Sequence, residues 1–110
     1  MKIHLIKKQT IENFVKTNSQ SKSAFASWLS ILKWVEWKEP NDIISTFNTA
    51  DILGESSQRV VFNIAGNKYK MICSYHFGKS KVHLFVKWIG THSEYTKLCN
   101  ERKQYTINKY

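Results

Sequence analysis

Proline occurs once and glycine four times in 110 residues, which excludes a collagen-like repeat and a Pro/Gly-rich linker. Cysteine is limited to Cys73 and Cys99, with no CxxC spacing. That rules out a dense disulfide framework or a cysteine zinc site, and a reducing cytoplasm is the expected location. The apolar run within residues 1–8 is too short and too interrupted for a signal peptide, and no stretch approaches a membrane span. His4, His76, His83 and His92 show no tight ligand pattern and have few carboxylates near them, so neither a metal nor a cofactor is expected. Acidic side chains are also scarce, with eight Asp and Glu against 17 Lys and Arg, a formal charge of +9.

What is present is globular. Hydrophobic residues make up 42% of the chain and aromatics 14%, and the length suits one domain over residues 1–110 with a single core. The charge is uneven: residues 68–110 hold nine basic and two acidic side chains, residues 1–67 eight and six. A field of this kind attracts polyanions, so nucleic acid is the first partner to consider. Lysines that merely keep a small domain soluble are the competing explanation, weakened because the charge is localised.

The residue pattern predicts a short strand around Ile3 and Leu5, then a helix bearing Ile11, Phe14 and Val15 with Thr10 as its cap. Phe25, Trp28, Leu29, Leu32 and Val35 form one stripe on a longer helix. Pro40 suits the first turn of a short helix carrying Ile43, Ile44 and Phe47. From Arg59 the period becomes two, which puts Val60, Phe62 and Ile64 on one side of a strand. A hairpin at Ala65, Gly66 and Asn67, with Gly and Asn tolerating positive φ, leads to a second strand over residues 68–76. A third strand over residues 82–89 sets Leu84, Val86 and Trp88 against His83, Phe85, Lys87 and Ile89. Thr91 and Glu94 have the spacing of a capping box, so a last helix should start at His92.

That helix start is an expected anion site, because free amides and the helix dipole favour a phosphate there. The dipole disfavours the imidazolium form of His92, which leaves a neutral ring suited to proton transfer. A structural, hydrogen-bonding histidine is the plainer alternative. Lys68 and Lys70 should share a strand face, with Lys87 on the next strand, and together they would grip a phosphodiester. Metal-free RNA cleavage needs a base, cations for the phosphorane and an acid, and His92, the lysines and Tyr95 supply those types. A solvated strand edge would explain the same lysines without chemistry. Trp34, Trp37 and Trp88 are candidates for base stacking, although core positions are expected for Trp28 and Trp88. Trp37, between charged residues, is left open between core and partner contact.

The run RVVFNIAGNKYKMI at residues 59–72, followed by VHLFVKWIGTHSEYTKL at residues 82–98, resembles the HigB family of bacterial toxins in the RelE-like superfamily. The resemblance is close over the last half of the chain, and the element order is compatible over nearly all of it. It implies an α+β fold: a small, mostly antiparallel sheet packed against N-terminal helices, with a C-terminal helix. It also implies a ribosome-dependent mRNA endoribonuclease that inhibits translation, restrained by a HigA-like helix-turn-helix antitoxin, with DNA contacted only through that antitoxin. The family's FNIxGNKYR-type hairpin maps to Phe62 through Lys70, and its GTHxEY segment to Gly90 through Tyr95. On this reading His92 is acid or base, and Tyr95 orients or donates a proton. Lys70, Lys68 and Lys87 hold phosphate, with Arg59 and Thr91 completing the RNA-binding set. Asn67 shapes the turn. Lys70 stands where arginine is common and lacks its planar fork, Ala65 replaces a common glycine, and Thr96 a common aspartate. The alternatives are a ParE-like toxin that inhibits gyrase and a non-catalytic RNA- or ribosome-binding domain.

Overall fold

A computed structural model describes residues 1–110. The chain runs β1 (Lys2–Ile6), α1 (Lys8–Thr17), a 3-10 turn at Ser19–Ser21, α2 (Lys22–Trp34), α3 (Asn41–Thr46), β2 (Asp51–Ile52), β3 (Arg59–Ile64), β4 (Tyr69–Phe77), β5 (Lys81–Thr91) and α4 (His92–Asn100). The five strands form one sheet in the order β1-β5-β4-β3-β2. Only β1 and β5 pair in parallel. This is the expected α+β architecture, with β2 added. Two residues are too few to show a period, so β2 is set by its pairing with β3.

One face of the sheet carries the main core. Val60, Phe62, Ile64, Met71, Cys73, Val82, Leu84, Val86 and Ile89 meet Ile11 of α1 and Phe25, Trp28 and Leu32 of α2. Phe47 stacks on Trp28 at 5.8 Å and meets Phe62 edge-on at 5.3 Å, so the short α3 is tied to the sheet through rings. Such pairs add about 0.5–1.5 kcal/mol each beyond the area they bury. Trp37 belongs here and is not free for a partner. The chain after α2 folds back, the Trp37 amide donates to the Met1 carbonyl, and its indole Nε1 donates to Thr46 Oγ1 at 2.9 Å. It is fully buried. Trp34, at the end of α2, is 79% exposed.

Several local expectations change for identifiable reasons. The first helix begins at Lys8, behind Lys7 in the left-handed region (φ 71°), so Thr10 lies inside it and caps nothing. In the β3–β4 hairpin Ala65 (φ 56°) and Gly66 (φ 66°) take the left-handed positions, and Asn67 does not. In β5 a bulge opposite Ile72 and Cys73 adds Lys87 as an unpaired residue. The bulge reverses the alternation: Trp88 points to the α4 face with Ile72, and Ile89 returns to the main core with Val86. The expected grouping of Trp88 with Leu84 and Val86 therefore fails, although Trp88 is buried.

The opposite face is covered by α4 and the chain after it. Leu53, Val61, Ile72, Trp88 and Leu98 form a second cluster, joined by Tyr95, Tyr105 and Ile107. The tail then reaches the edge of β5 that the short β1 leaves open, where the Lys109 amide donates to the Lys87 carbonyl at 2.9 Å. That contact blunts an otherwise unpaired edge. No helix is long and apolar enough to cross a membrane.

Candidate functional site

The hairpin and the start of α4 meet as the sequence suggested. Tyr69 pairs with Thr91 and Lys70 with Gly90 across β4 and β5, so the end of β5 delivers α4 beside the β3–β4 turn. The His92 amide donates to the Lys68 carbonyl at 3.0 Å, which locks the helix start to the hairpin. Thr91 caps α4: its Oγ1 accepts from the Glu94 amide at 3.2 Å, and Glu94 Oε1 accepts from the Thr91 amide at 2.7 Å. The capping box takes up the only carboxylate of this first turn.

Gly90 is required by the close approach of Trp88 rather than by its torsion angles. A Cβ there would lie 2.5 Å from two indole carbons and 3.0 Å from Glu94 Oε1. The glycine of the GTHSEY phrase thus lets a large ring fold under the helix start.

Lys70 is the most constrained cation of the group. Its Nζ donates to Asn63 Oδ1 on β3 and lies 5.6 Å over the Tyr95 ring. Tyr95 is half-buried against Trp88 at 6.1 Å. Burial first, then hydrogen bonding to Cys99, pushes its phenol well above the ordinary tyrosine pKa. Lys68 and His92 are exposed at the turn and at the helix start. Asn63 was not singled out from the sequence: a turn of Ala65, Gly66 and Asn67 with Lys68 opening the next strand would set Asn63 opposite Tyr69, whereas the four-residue loop between Ile64 and Tyr69 makes it the partner of Lys70.

Lys87 and Arg59 are placed elsewhere. The row formed by Ile72 and Trp88, under Leu98, separates Lys70 from Lys87. Lys87 instead donates to Asn108 Oδ1 at 3.2 Å and lies over the Phe85 ring at 5.5 Å. Arg59 is buried, and its Nη1 donates to the carbonyls of Ile107 at 2.7 Å and Gln104 at 3.3 Å. Burial holds its pKa below the usual guanidinium value. Arg59 anchors the tail, so it is left out of the phosphate-binding set; a guanidinium that already serves two carbonyls under that tail is not presented to RNA. The single expected site therefore divides into Lys68, Lys70, Thr91, His92 and Tyr95 around the helix start and Lys87 away from it.

A five-stranded sheet with two N-terminal helices on one face, a capped C-terminal helix on the other and a basic hairpin beside that cap defines a RelE-like α+β domain. The family model described as HigB toxin, RelE-like toxic component of a toxin-antitoxin system, matches residues 21–98, and the chain belongs to that family. Membership makes it the toxin of a toxin-antitoxin pair, with an antitoxin as partner. No curated protein matches the chain.

Proposed function

We propose that the protein is a metal-independent endoribonuclease that cuts messenger RNA on the ribosome and so inhibits translation, restrained by a HigA-like helix-turn-helix antitoxin. The observation that carries this reading is Lys70 over the Tyr95 ring beside a capped helix start that His92 opens, its amide on the Lys68 carbonyl, with the Glu94 carboxylate held in the cap. The cap and the hairpin engage the Thr91, His92 and Glu94 amides, so it is the dipole of α4 and the ammonium groups of Lys68 and Lys70 that favour a phosphate at this point.

In the proposed reaction His92 takes the proton of a ribose 2′-hydroxyl. The 2′ oxygen attacks the adjacent phosphorus, and the bond to the 5′ oxygen breaks as that oxygen takes a proton from water, leaving a 2′,3′-cyclic phosphate and a free 5′-hydroxyl. Lys70, fixed by Asn63 and Tyr95, stabilises the added negative charge on the phosphorane. The elevated pKa of Tyr95 keeps the phenol protonated, which suits orientation and hydrogen-bond donation rather than rapid proton exchange at neutral pH. Exposed His92 and Lys68 leave the site open, and docking on a ribosome would supply the missing alignment of the RNA strand.

Growth inhibition on expression, compared between wild type and folded His92→Ala and Lys70→Ala variants, tests the assignment. Relief in both supports it. Persistent toxicity in both refutes these sites, and inhibition of gyrase with no loss of message refutes the nuclease reading.

A further inference from the structure

Three of the four histidines lie in one row across the open end of the α4 face. The parallel register of β1 and β5 sets His4 beside His83, and the antiparallel register of β5 and β4 sets His83 beside His76. Their rings are 5.6 Å and 6.0 Å apart, the first pair edge-on and the second stacked. His4 and His76 are exposed and His83 is half-buried between them. This alignment could not be read from four scattered histidines, because it depends on a strand from the start of the chain pairing with the last strand.

The charged residues that the strand register sets beside the row are positive. The next row toward the strand ends pairs Lys2 with Lys81, which the period of two puts on the same face. The row on the other side carries Phe85 and Ser74, with the Lys87 ammonium over the Phe85 ring. The carboxylates of the surrounding elements are engaged: Glu55, in the loop before β3, pairs with Arg102, and Glu36 lies 3.9 Å from the amino terminus. Like charges set opposite one another across strands destabilise a sheet, and an anion laid along them removes that repulsion. No three His, Cys, Asp or Glu side chains are placed to hold a metal ion.

We propose that His4, His83 and His76, with Lys2, Lys81 and Lys87, form a second binding strip for the phosphodiester backbone of single-stranded RNA, with the Phe85 ring as an apolar contact for a base. The inference rests on the ribonuclease reading for the identity of the polyanion, and it extends that site. His76 lies six residues along β4 from Lys70, about 20 Å at the rise of a strand, so one RNA strand can reach both. A strip built partly of imidazoles predicts binding that strengthens in acid, because imidazole is the side chain whose charge changes near neutral pH.

The test is fluorescence anisotropy of a short single-stranded RNA with the full chain and no ribosomes. Wild type should bind more tightly on going from about pH 8 to about pH 6. Its salt dependence should steepen as well, since each further phosphate neutralised on a single strand adds about 0.7 to the log–log slope. The combined His4→Gln, His76→Gln and His83→Gln variant should lose that gain and keep wild-type binding at the alkaline end. His4→Lys with His76→Lys should restore tight binding at alkaline pH. The single His4→Gln and His76→Gln changes, both on exposed side chains, should each remove part of the gain if the combined variant does not fold. Wild-type pH dependence in the histidine variants overturns the proposal, as does complete loss of the gain in His92→Gln or the same response toward an acidic peptide. Failure of wild type to cleave message on ribosomes would instead refute the nuclease reading and leave this strip standing as an RNA-binding surface.

Discussion

The ammonium of Lys70 is held from two sides, by the Asn63 amide oxygen on the neighbouring strand and by the face of the Tyr95 ring 5.6 Å away. A lysine on a flexible stem becomes a fixed charge in this way, which offsets the lack of an arginine fork at the same position. Asn63→Ala should therefore lower cleavage while leaving the fold intact, by up to about 100-fold, the effect of a misplacement of about 1 Å. Single-turnover cleavage alongside circular dichroism checks this. Unchanged cleavage would show that Asn63 does not position Lys70.

Gly90→Ala should be among the most destabilising single methyl additions in the protein, because the new carbon would overlap the Trp88 ring. Overpacking of this kind costs about 1–3 kcal/mol. Thr91→Ala removes the cap of α4 and should cost about 1 kcal/mol. Urea unfolding measures both, and a Gly90→Ala variant as stable as wild type would contradict the placement of Trp88.

Ala65→Gly should stabilise the protein by about 1 kcal/mol, since Ala65 sits at φ 56° where a side chain is strained. The family resemblance pointed to glycine here, and the backbone shows why. A shift of the urea midpoint to higher concentration is the expected result.

Arg59→Met should release the tail. Two hydrogen bonds from a buried guanidinium to the carbonyls of Gln104 and Ile107 are lost, at a cost of about 2 kcal/mol. Hydrogen exchange should quicken in residues 104–109 while the Thr91 cap stays protected.

Alkali should weaken the fold through two buried acids. Burial raises the Cys73 thiol from its ordinary 9.0 and the Tyr95 phenol from its ordinary 10.0. The unfolded chain therefore releases these protons first, and stability present below the unfolded pKa values is lost as pH climbs through them toward the folded ones. Cys73→Val should flatten the early part of that decline in urea midpoints measured from neutral pH upward, and an unchanged decline would rule out the thiol as its source.

The parts of the fold legible in the sequence are those written in local patterns. The period of two in β3 and β4, the helical stripe on α2 and the Thr91–Glu94 box depend on residues a few positions apart, and each forms within a residue of where the pattern placed it, β4 starting at Tyr69 rather than Lys68 and α2 ending before Val35. What escaped depends on distant pairing. The bulge at Lys87 arises from the register of β5 on β4, Trp37 is buried because the chain folds back on Met1, and Arg59 finds its acceptors 45 and 48 residues away. The hairpin and helix start of the candidate site were legible for the first reason, and the separation of Lys87 from Lys70 was not for the second.

Purified ribosomes carrying a defined message, incubated with wild type, Lys70→Ala and His92→Ala proteins, test the central claim most directly when the message is mapped for new 5′ ends. The account predicts cleavage by wild type within the ribosome-bound region, little or none on free message, and loss of cleavage in both variants. Intact message after incubation with wild type would contradict it.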